Sequence, residues 1–121
     1  MAAKNYRELV VWQKAMDLAV AVYELTRGFP REEAYGLTAQ LRRAVVSVPS
    51  NIAEGQGRHT TKEFIRFLSV AQGSLQEAET QIVLATRLRY MDAPQEALLL
   101  ERCAEVARLL HGLTSALEHK L

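Results

Sequence analysis

Apolar residues recur along the chain at intervals of three and four, which is the spacing of one face of an α-helix. Short breaks divide this pattern into four segments. The predicted helices run from about Tyr6 to Arg27, from about Glu32 to Glu54, from the Thr60 cap through Ala85, and from the Asp92 cap through Leu117. Short connections make successive helices antiparallel neighbours. The sequence therefore predicts one all-α domain over residues 1–121, an antiparallel up-and-down four-helix bundle.

The first segment carries two apolar stripes instead of one. One stripe is Leu9, Trp12, Met16, Ala19 and Tyr23, and the other is Val11, Ala15, Leu18, Val22 and Leu25. Together they are wider than the face of roughly 100° that a bundle helix ordinarily buries. We therefore expect a second apolar surface and assembly into a homo-oligomer, with a thickly packed monomeric core as the alternative.

Local start and stop signals support these boundaries. Asn5 with Glu8 resembles a capping box, and Gly28 followed by Pro30 is expected to end the first helix. Glu32 and Glu33 fall in the predicted first turn of the second helix, Pro49 predicts a kink within it, and Gly55 and Gly57 are expected to stop it. Thr60 with Glu63 forms a capping box, and Asp92, Pro94 and Gln95 form another start signal. The third helix then carries a heptad seam of Phe64, Leu68, Ala71, Leu75, Ala78, Ile82 and Ala85.

Composition and motifs argue against catalysis. The formal net charge is +1, Cys103 is the only cysteine, and no apolar run approaches the roughly 20 residues of a membrane helix. We expect a soluble cytoplasmic protein without a signal peptide. Gly55-Gln56-Gly57 lacks the third glycine of a phosphate loop, and no Glu-x-x-His pair is available for a di-iron centre. Cys103 lies on an apolar stripe, as a structural thiol would. We expect no enzyme activity, cofactor, metal or small-molecule substrate.

Charge is distributed unevenly along the chain. Residues 40–70 have an excess of three positive charges, and residues 91–121 have an excess of two negative charges. The cations of the first region are Arg42, Arg43, Arg58, Lys62 and Arg66. Such a cluster predicts contacts with the phosphates of RNA or DNA. The alternatives are an ordinary solvated helix face, or pairing with the acidic fourth helix of a neighbouring copy.

Several stretches together carry a family resemblance. They are Leu9-Val10-Val11-Trp12-Gln13-Lys14-Ala15, Phe29-Pro30 with Glu33, Leu37-Thr38-Ala39-Gln40-Leu41-Arg42-Arg43-Ala44, Ser47-Val48-Pro49-Ser50-Asn51-Ile52-Ala53-Glu54-Gly55, and Phe64, Phe67-Leu68, Ala71, Gly73-Ser74-Leu75 and Glu77. The pattern resembles the four-helix-bundle proteins encoded in intervening sequences of bacterial 23S rRNA genes. The resemblance implies a ring-shaped homo-oligomer, with a pentamer as the expected state. The fold is also similar to that of the accessory variability determinant of diversity-generating retroelements, a basic ring associated with nucleic acid and a reverse transcriptase.

The signature within the second helix consists of Ser47, Pro49, Ser50, Asn51, Glu54 and Gly55. We interpret it first as structural, because Pro49 frees a backbone carbonyl and the neighbouring Ser50 and Asn51 offer polar groups near a kink. Glu54 and Arg58 form a favourable i,i+4 pair. The alternative is a polar stripe that faces an oligomer interface or a central channel. The chain is thus predicted to be a non-enzymatic oligomeric protein that binds RNA or another nucleic acid, or else a scaffold for a protein partner without affinity for nucleic acid.

Overall fold

The computed structural model describes residues 5–121, which form four α-helices and two short 3₁₀ turns. The helices are α1 (Val10–Thr26), α2 (Leu37–Gln56), α3 (Thr61–Arg87) and α4 (Ala93–Glu118), and the 3₁₀ turns are Tyr6–Glu8 and Arg31–Glu33. Each helix packs on its neighbours in sequence, and α1 also packs on α4. Within residues 5–121 there is no strand. The predicted all-α class and the four helices are confirmed.

Contacts between α2 and α3 show that the two helices are antiparallel. The Ser47 hydroxyl lies 2.8 Å from the Ser74 hydroxyl. Gly55, further along α2, lies against Phe64 and Phe67, which come earlier in α3. Residue numbers therefore rise along α2 as they fall along α3. One end of the bundle is the α2–α3 turn, residues 57–60, which we call the turn end. The opposite end is formed by the connections 27–36 and 88–92, which we call the loop end.

The first two helices begin later than predicted. The Asn5 side chain accepts a hydrogen bond of 2.8 Å from the Arg7 backbone N–H, so Asn5 caps a short 3₁₀ turn and α1 starts only at Val10. The predicted first turn of α2 is wrong in the same way, because Glu33 ends a 3₁₀ turn. Glu33 instead caps α2 from outside, since its Oε1 accepts a 2.9 Å hydrogen bond from the Leu37 N–H.

The starts of α3 and α4 agree with the predicted caps, except that the Glu63 side chain binds Arg66 and does not complete the capping box predicted at Thr60. The Thr60 hydroxyl accepts from the Glu63 N–H at 3.1 Å. Asp92 Oδ1 accepts from the Gln95 N–H at 2.9 Å, and the Gln95 side chain accepts from the Asp92 N–H at 2.9 Å. These caps involve neighbours in sequence, and the sequence therefore identifies them.

Helix ends differ from the prediction in their use of glycine. No glycine in the described chain has a positive φ, so Gly28 does not supply a left-handed cap. Among residues 5–121 the left-handed conformation falls to Arg89, with φ 67°. Arg89 N–H donates to the Thr86 carbonyl and Tyr90 N–H to the Ala85 carbonyl, both at 2.9 Å, which is the Schellman pattern. An arginine in this conformation costs about 1 kcal/mol relative to glycine.

The core is built from one stripe of each helix. The second apolar stripe of α1 is buried except for half-buried Leu25, and the heptad seam of α3 is buried except for half-buried Phe64. The other stripe of α1 is only partly covered: Met16 remains 39% exposed and Tyr23 41% exposed. Helix α2 continues through Pro49, which is buried. Among the described residues, no helix is long and apolar enough to cross a bilayer.

Candidate nucleic-acid interface

The structure separates the five cations predicted to contact phosphates. Arg42 is half-buried against the last turns of α1, where its Nε donates to Thr26 Oγ1 at 2.9 Å and its second guanidinium nitrogen donates to the Tyr23 carbonyl at 3.3 Å. The same guanidinium lies 4.5 Å from the centre of the Tyr23 ring. Arg42 therefore joins α1 to α2. Arg43 is exposed on α2, about 20 Å along the helix from the turn end at 1.5 Å per residue.

The other three cations meet at the turn end. The guanidinium carbons of Arg58 and Arg66 each lie 4.8 Å from the centre of the Phe67 ring. Phe67 itself is buried, so its ring supports both arginines without being available to a ligand base. Lys62 is exposed one helical turn before Arg66. Sequence reasoning did not identify Phe67 as the residue that positions these arginines. Its place directly after Arg66, in the helix that follows Arg58, could have indicated this role.

Two carboxylates hold these arginines in place. Arg66 donates to both Glu63 oxygens, at 3.0 and 3.3 Å. This hydrogen bonding lowers the pKa of Glu63 and raises the pKa of Arg66. Arg58 lies 3.9 Å from Glu54, so the predicted i,i+4 pair is present. Both pairs are exposed to water, and exposed pairs contribute little to stability and exchange readily for another anion.

The signature in α2 makes contacts with α3. Ser47 lies 2.8 Å from Ser74, and the Asn51 side chain donates to the Ser47 hydroxyl at 2.9 Å and to the Ser47 carbonyl at 2.8 Å. Gly55 is buried, and a Cβ placed on it would lie 2.7 Å from the Phe67 Cβ and 3.0 Å from a Phe64 ring carbon. Gly55 is therefore a site of close helix packing and not the end of α2, which stops at Gln56 before Gly57.

The remaining signature residues border a groove between α1 and α2. The groove encloses about 570 Å³ and is lined by Tyr6, Trp12, Met16, Ala19, Val46, Pro49, Ser50, Ala53 and Glu54. Its floor is apolar, and Ser50 and Glu54 lie on its exposed rim. The Trp12 ring packs edge-on against Tyr6 with ring centres 5.2 Å apart. The groove is the part of the first α1 stripe that the bundle itself does not cover.

The buried thiol is poorly suited to nucleophilic chemistry. Cys103 is fully buried in α4, and burial, with a smaller contribution from Glu79, raises the pKa of its thiol to about 12. A thiol in that state is protonated at neutral pH, whereas catalysis needs the thiolate. In residues 5–121 no three His, Cys, Asp or Glu side chains come together as a metal site requires.

Comparisons with known proteins support the fold and the family. The chain is similar to a solved structure of a protein of unknown function from the S23 ribosomal protein family of Bacteroides thetaiotaomicron. The TM-score is 0.81 at 24% identity, over 87% of this chain and 98% of the other. No curated protein shows a significant similarity. The profile of the 23S rRNA-intervening sequence proteins matches residues 7–112, the span that contains all four helices up to the last turns of α4. The chain is therefore a member of the 23S rRNA-intervening sequence protein family.

Proposed function

We propose that the protein is a non-enzymatic, cytoplasmic nucleic-acid-binding oligomer that contacts phosphates at the turn end. The observation that carries the proposal is the convergence of Arg58 and Arg66 on the Phe67 ring, 4.8 Å from its centre in both cases. The stacked guanidiniums are ordered before any ligand arrives, so less side-chain entropy is lost on binding. Lys62 adds a third cation on the same face.

Phosphate is the ligand that best fits this group. Arg66 already presents its fork to a carboxylate, Glu63, and a phosphate offers the same paired oxygens with more charge. Three cations face two carboxylates, so binding a phosphate here satisfies the remaining positive charge. Phosphate contacts of this kind do not read sequence. Arg43 extends the contact along α2 only if the ligand reaches about 20 Å from the turn, and Arg42 is assigned to the α1–α2 contact.

A salt series on purified protein tests the proposal. The triple variant Arg58→Gln, Lys62→Gln, Arg66→Gln should reduce the slope of log affinity against log salt by about 2, since each neutralised phosphate contributes about 0.7–0.9. The matched control is Arg102→Gln, Arg108→Gln on α4 together with Lys120→Gln beyond its end, which removes the same charge from the acidic region.

The control separates a local site from a general charge effect. We expect the α4 triple variant to keep the wild-type slope. Equal losses in both triple variants would show that only net charge matters. Absence of binding to RNA and DNA at low salt, together with recovery of a stable protein partner, would instead favour the scaffold function.

We further propose that self-association occupies the α1–α2 groove with a second copy, in a ring whose expected state is a pentamer by family resemblance. Met16 and Val46 line the groove and are 39% and 41% exposed, so a charge at either position is tolerated by the monomer but not by an apolar interface. The variant Met16→Glu, Val46→Glu should shift the mass measured by light scattering towards the monomer.

Val70→Glu provides the matched control. Val70 is 44% exposed on α3 and lies outside the groove, so this variant should keep the wild-type mass. The fluorescence of Trp12, the only tryptophan, gives a second readout, because opening the groove to water shifts its emission to longer wavelength. An unchanged mass in the Met16→Glu, Val46→Glu variant would contradict this interface.

A further inference from the structure

The loop end carries four arginines that the proposed function leaves unused. They are Arg27, Arg31, Arg87 and Arg89, and all are exposed. Among residues 5–121, ion pairs are formed by Lys14, Arg58 and Arg66, and by none of these four. Arg89 in addition holds the left-handed backbone position that glycine ordinarily takes. Strained positions of this kind are concentrated at functional sites.

The connection that carries Arg31 also carries an uncovered aromatic ring. Tyr35 is 99% exposed, more than any other large apolar or aromatic side chain described. Its backbone is nevertheless fixed, because the Glu33 carbonyl accepts from the Gly36 N–H at 2.9 Å and the Glu33 carboxylate accepts from the Leu37 N–H at 2.9 Å. A ring that is free on both faces and mounted on an ordered turn is suited to stacking on a nucleic-acid base.

Contacts between the two connections bring these groups to one surface. The Tyr90 hydroxyl donates to Glu33 Oε2 at 2.9 Å, and the Tyr90 ring packs on Phe29 with ring centres 5.6 Å apart. Tyr35 lies two residues after Glu33, and Arg89 directly precedes Tyr90. Two residues of chain span at most about 7 Å, so the exposed ring and the strained arginine belong to the same end of the bundle.

Net charge does not distinguish the loop end from the turn end, whereas the exposed aromatic ring does. The four arginines are opposed by Glu32, Glu33 and Asp92, which leaves a single net positive charge. Glu33 and Asp92 are engaged as helix caps. The three cations and two carboxylates of the turn end leave the same net charge. The Phe67 ring of the turn end is buried, so of the two ends it is the loop end, through Tyr35, that can add base stacking to phosphate contacts. Bases in a duplex are paired and stacked on each other, so only an unpaired base can reach Tyr35.

We infer that the loop end is a second nucleic-acid contact, which stacks an unpaired base on Tyr35 while the surrounding arginines hold the adjoining phosphates. The inference rests on the proposed function in that the ligand is a nucleic acid, but it uses none of the turn-end cations. It makes the protein selective for single-stranded segments, whereas the turn end binds single strands and duplexes alike.

The experiment compares a short unstructured RNA with a duplex of the same sequence, using the full chain. Tyr35→Ala should weaken binding of the single strand about tenfold and leave duplex binding unchanged. Tyr35→Phe keeps the ring and should bind the single strand as the wild type does. The fold is not at risk in either variant, because the Tyr35 side chain makes no buried contact.

The variant Arg58→Gln, Lys62→Gln, Arg66→Gln distinguishes the two proposals in the same assay. This triple variant should weaken the binding of both ligands, and Tyr35→Ala added to it should still weaken the binding of the single strand. If Tyr35→Ala changes the affinity for neither ligand, or changes both affinities equally, the loop-end contact is overturned while the turn-end proposal stands. If the wild-type protein binds neither ligand, both proposals fail.

Discussion

The two ends of the bundle place similar residues, arginines and an aromatic ring, in different environments. At the turn end, two arginines stack on a buried phenylalanine and pair with Glu54 and Glu63, and a glycine admits that phenylalanine against α2. At the loop end, four arginines have no ion pair among the described residues, and the neighbouring aromatic ring is fully exposed. The turn end pairs two of its three cations with carboxylates of the chain, and the loop end leaves its arginines and Tyr35 to solvent or to a ligand.

The difference teaches where a family signature is informative. The signature residues run from Ser47 in the middle of α2 to Gly55 in its last turn, and the contacts of Ser47 and Gly55 hold α2 against α3. A recognisable motif therefore marks helix packing in this protein. The loop-end part of the resemblance, Phe29 and Glu33, likewise makes internal contacts, whereas the exposed Tyr35 and the four exposed arginines lie outside the resemblance. Substitutions at each end, compared with matched controls, test this contrast.

The largest effect is expected from filling the close contact at the turn end. Gly55→Ala places a Cβ 2.7 Å from the Phe67 Cβ and 3.3 Å from the Phe64 backbone carbonyl, and neither atom is the end of a flexible side chain. The free energy of unfolding should fall by about 2–3 kcal/mol, as for other overpacked cores. Urea denaturation followed by circular dichroism measures the change.

Gly73→Ala is the matched control within α3, because a Cβ there meets nothing within 4 Å. It should raise the free energy of unfolding by about 0.5–1 kcal/mol through helix propensity alone. If neither substitution lowered the free energy of unfolding, Gly55 would not be a close packing contact. The description of the turn end as tightly packed would then be contradicted.

The second effect concerns the hydrogen bonds that join α2 to α3. Ser47→Ala removes the hydroxyl that meets both Ser74 and Asn51, and should lower the free energy of unfolding by about 1 kcal/mol. Ser50→Ala, on the exposed rim of the groove, should change it by less than about 0.5 kcal/mol. Similar losses in the two variants, measured in urea, would mean that the network adds nothing beyond surface polarity.

A third variant is expected to stabilise the loop end. Arg89→Gly removes the strain of a left-handed arginine and should raise the free energy of unfolding by about 0.5–1 kcal/mol. Arg89→Ala loses the same charge but keeps a Cβ, so it should show no such gain. A gain in both variants would assign the effect to charge, and the conformational strain at the loop end would be refuted.

The smallest effect is a shift in titration. Hydrogen bonds from the Leu37 N–H and then from Tyr90 lower the pKa of Glu33, while the bond to Glu33 raises the pKa of Tyr90. The interaction therefore stabilises the fold above the ordinary glutamate pKa, and this contribution is lost as pH falls through the lowered value. It is lost again as pH rises through the raised pKa of Tyr90.

Tyr90→Phe isolates the tyrosine contribution. We expect the pKa of Glu33, followed by carboxyl NMR, to rise towards its ordinary value but to stay below it, because the Leu37 bond remains. The pKa of Glu63 at the turn end serves as the internal reference and should not move, since Arg66 sets it. An unmoved Glu33 pKa would show that the two connections are not joined by this bond in solution.

Sequence reasoning succeeded where the determining contacts are local. The caps at Thr60 and Asp92 bind residues three positions ahead, and the seam of α3 follows from helical period alone. It failed at the two 3₁₀ turns, which replace a predicted first helical turn although their caps are local, and it failed where the partner is distant in sequence. The start of α2 depends on a carboxylate that also binds Tyr90, and Arg42 is held by the end of another helix.

The same limit applies to the candidate site. The turn-end cations follow one another closely, so the sequence indicated Arg58, Lys62 and Arg66 together. The loop-end group combines two connections far apart in the chain, and only the folded structure joins them, through the hydrogen bond from Tyr90 to Glu33. Gly55 was assigned to a helix end because the local pattern cannot show which side chain approaches its Cα from α3.

The burial of Cys103 provides a way to measure transient opening of the bundle core. Its thiol is both inaccessible and protonated, so a thiol reagent reacts only after the helices around it separate. Since the chain has no second cysteine, the rate of labelling reports opening around this single site. Cys103 is thus a native probe of core opening, and no engineered probe is needed.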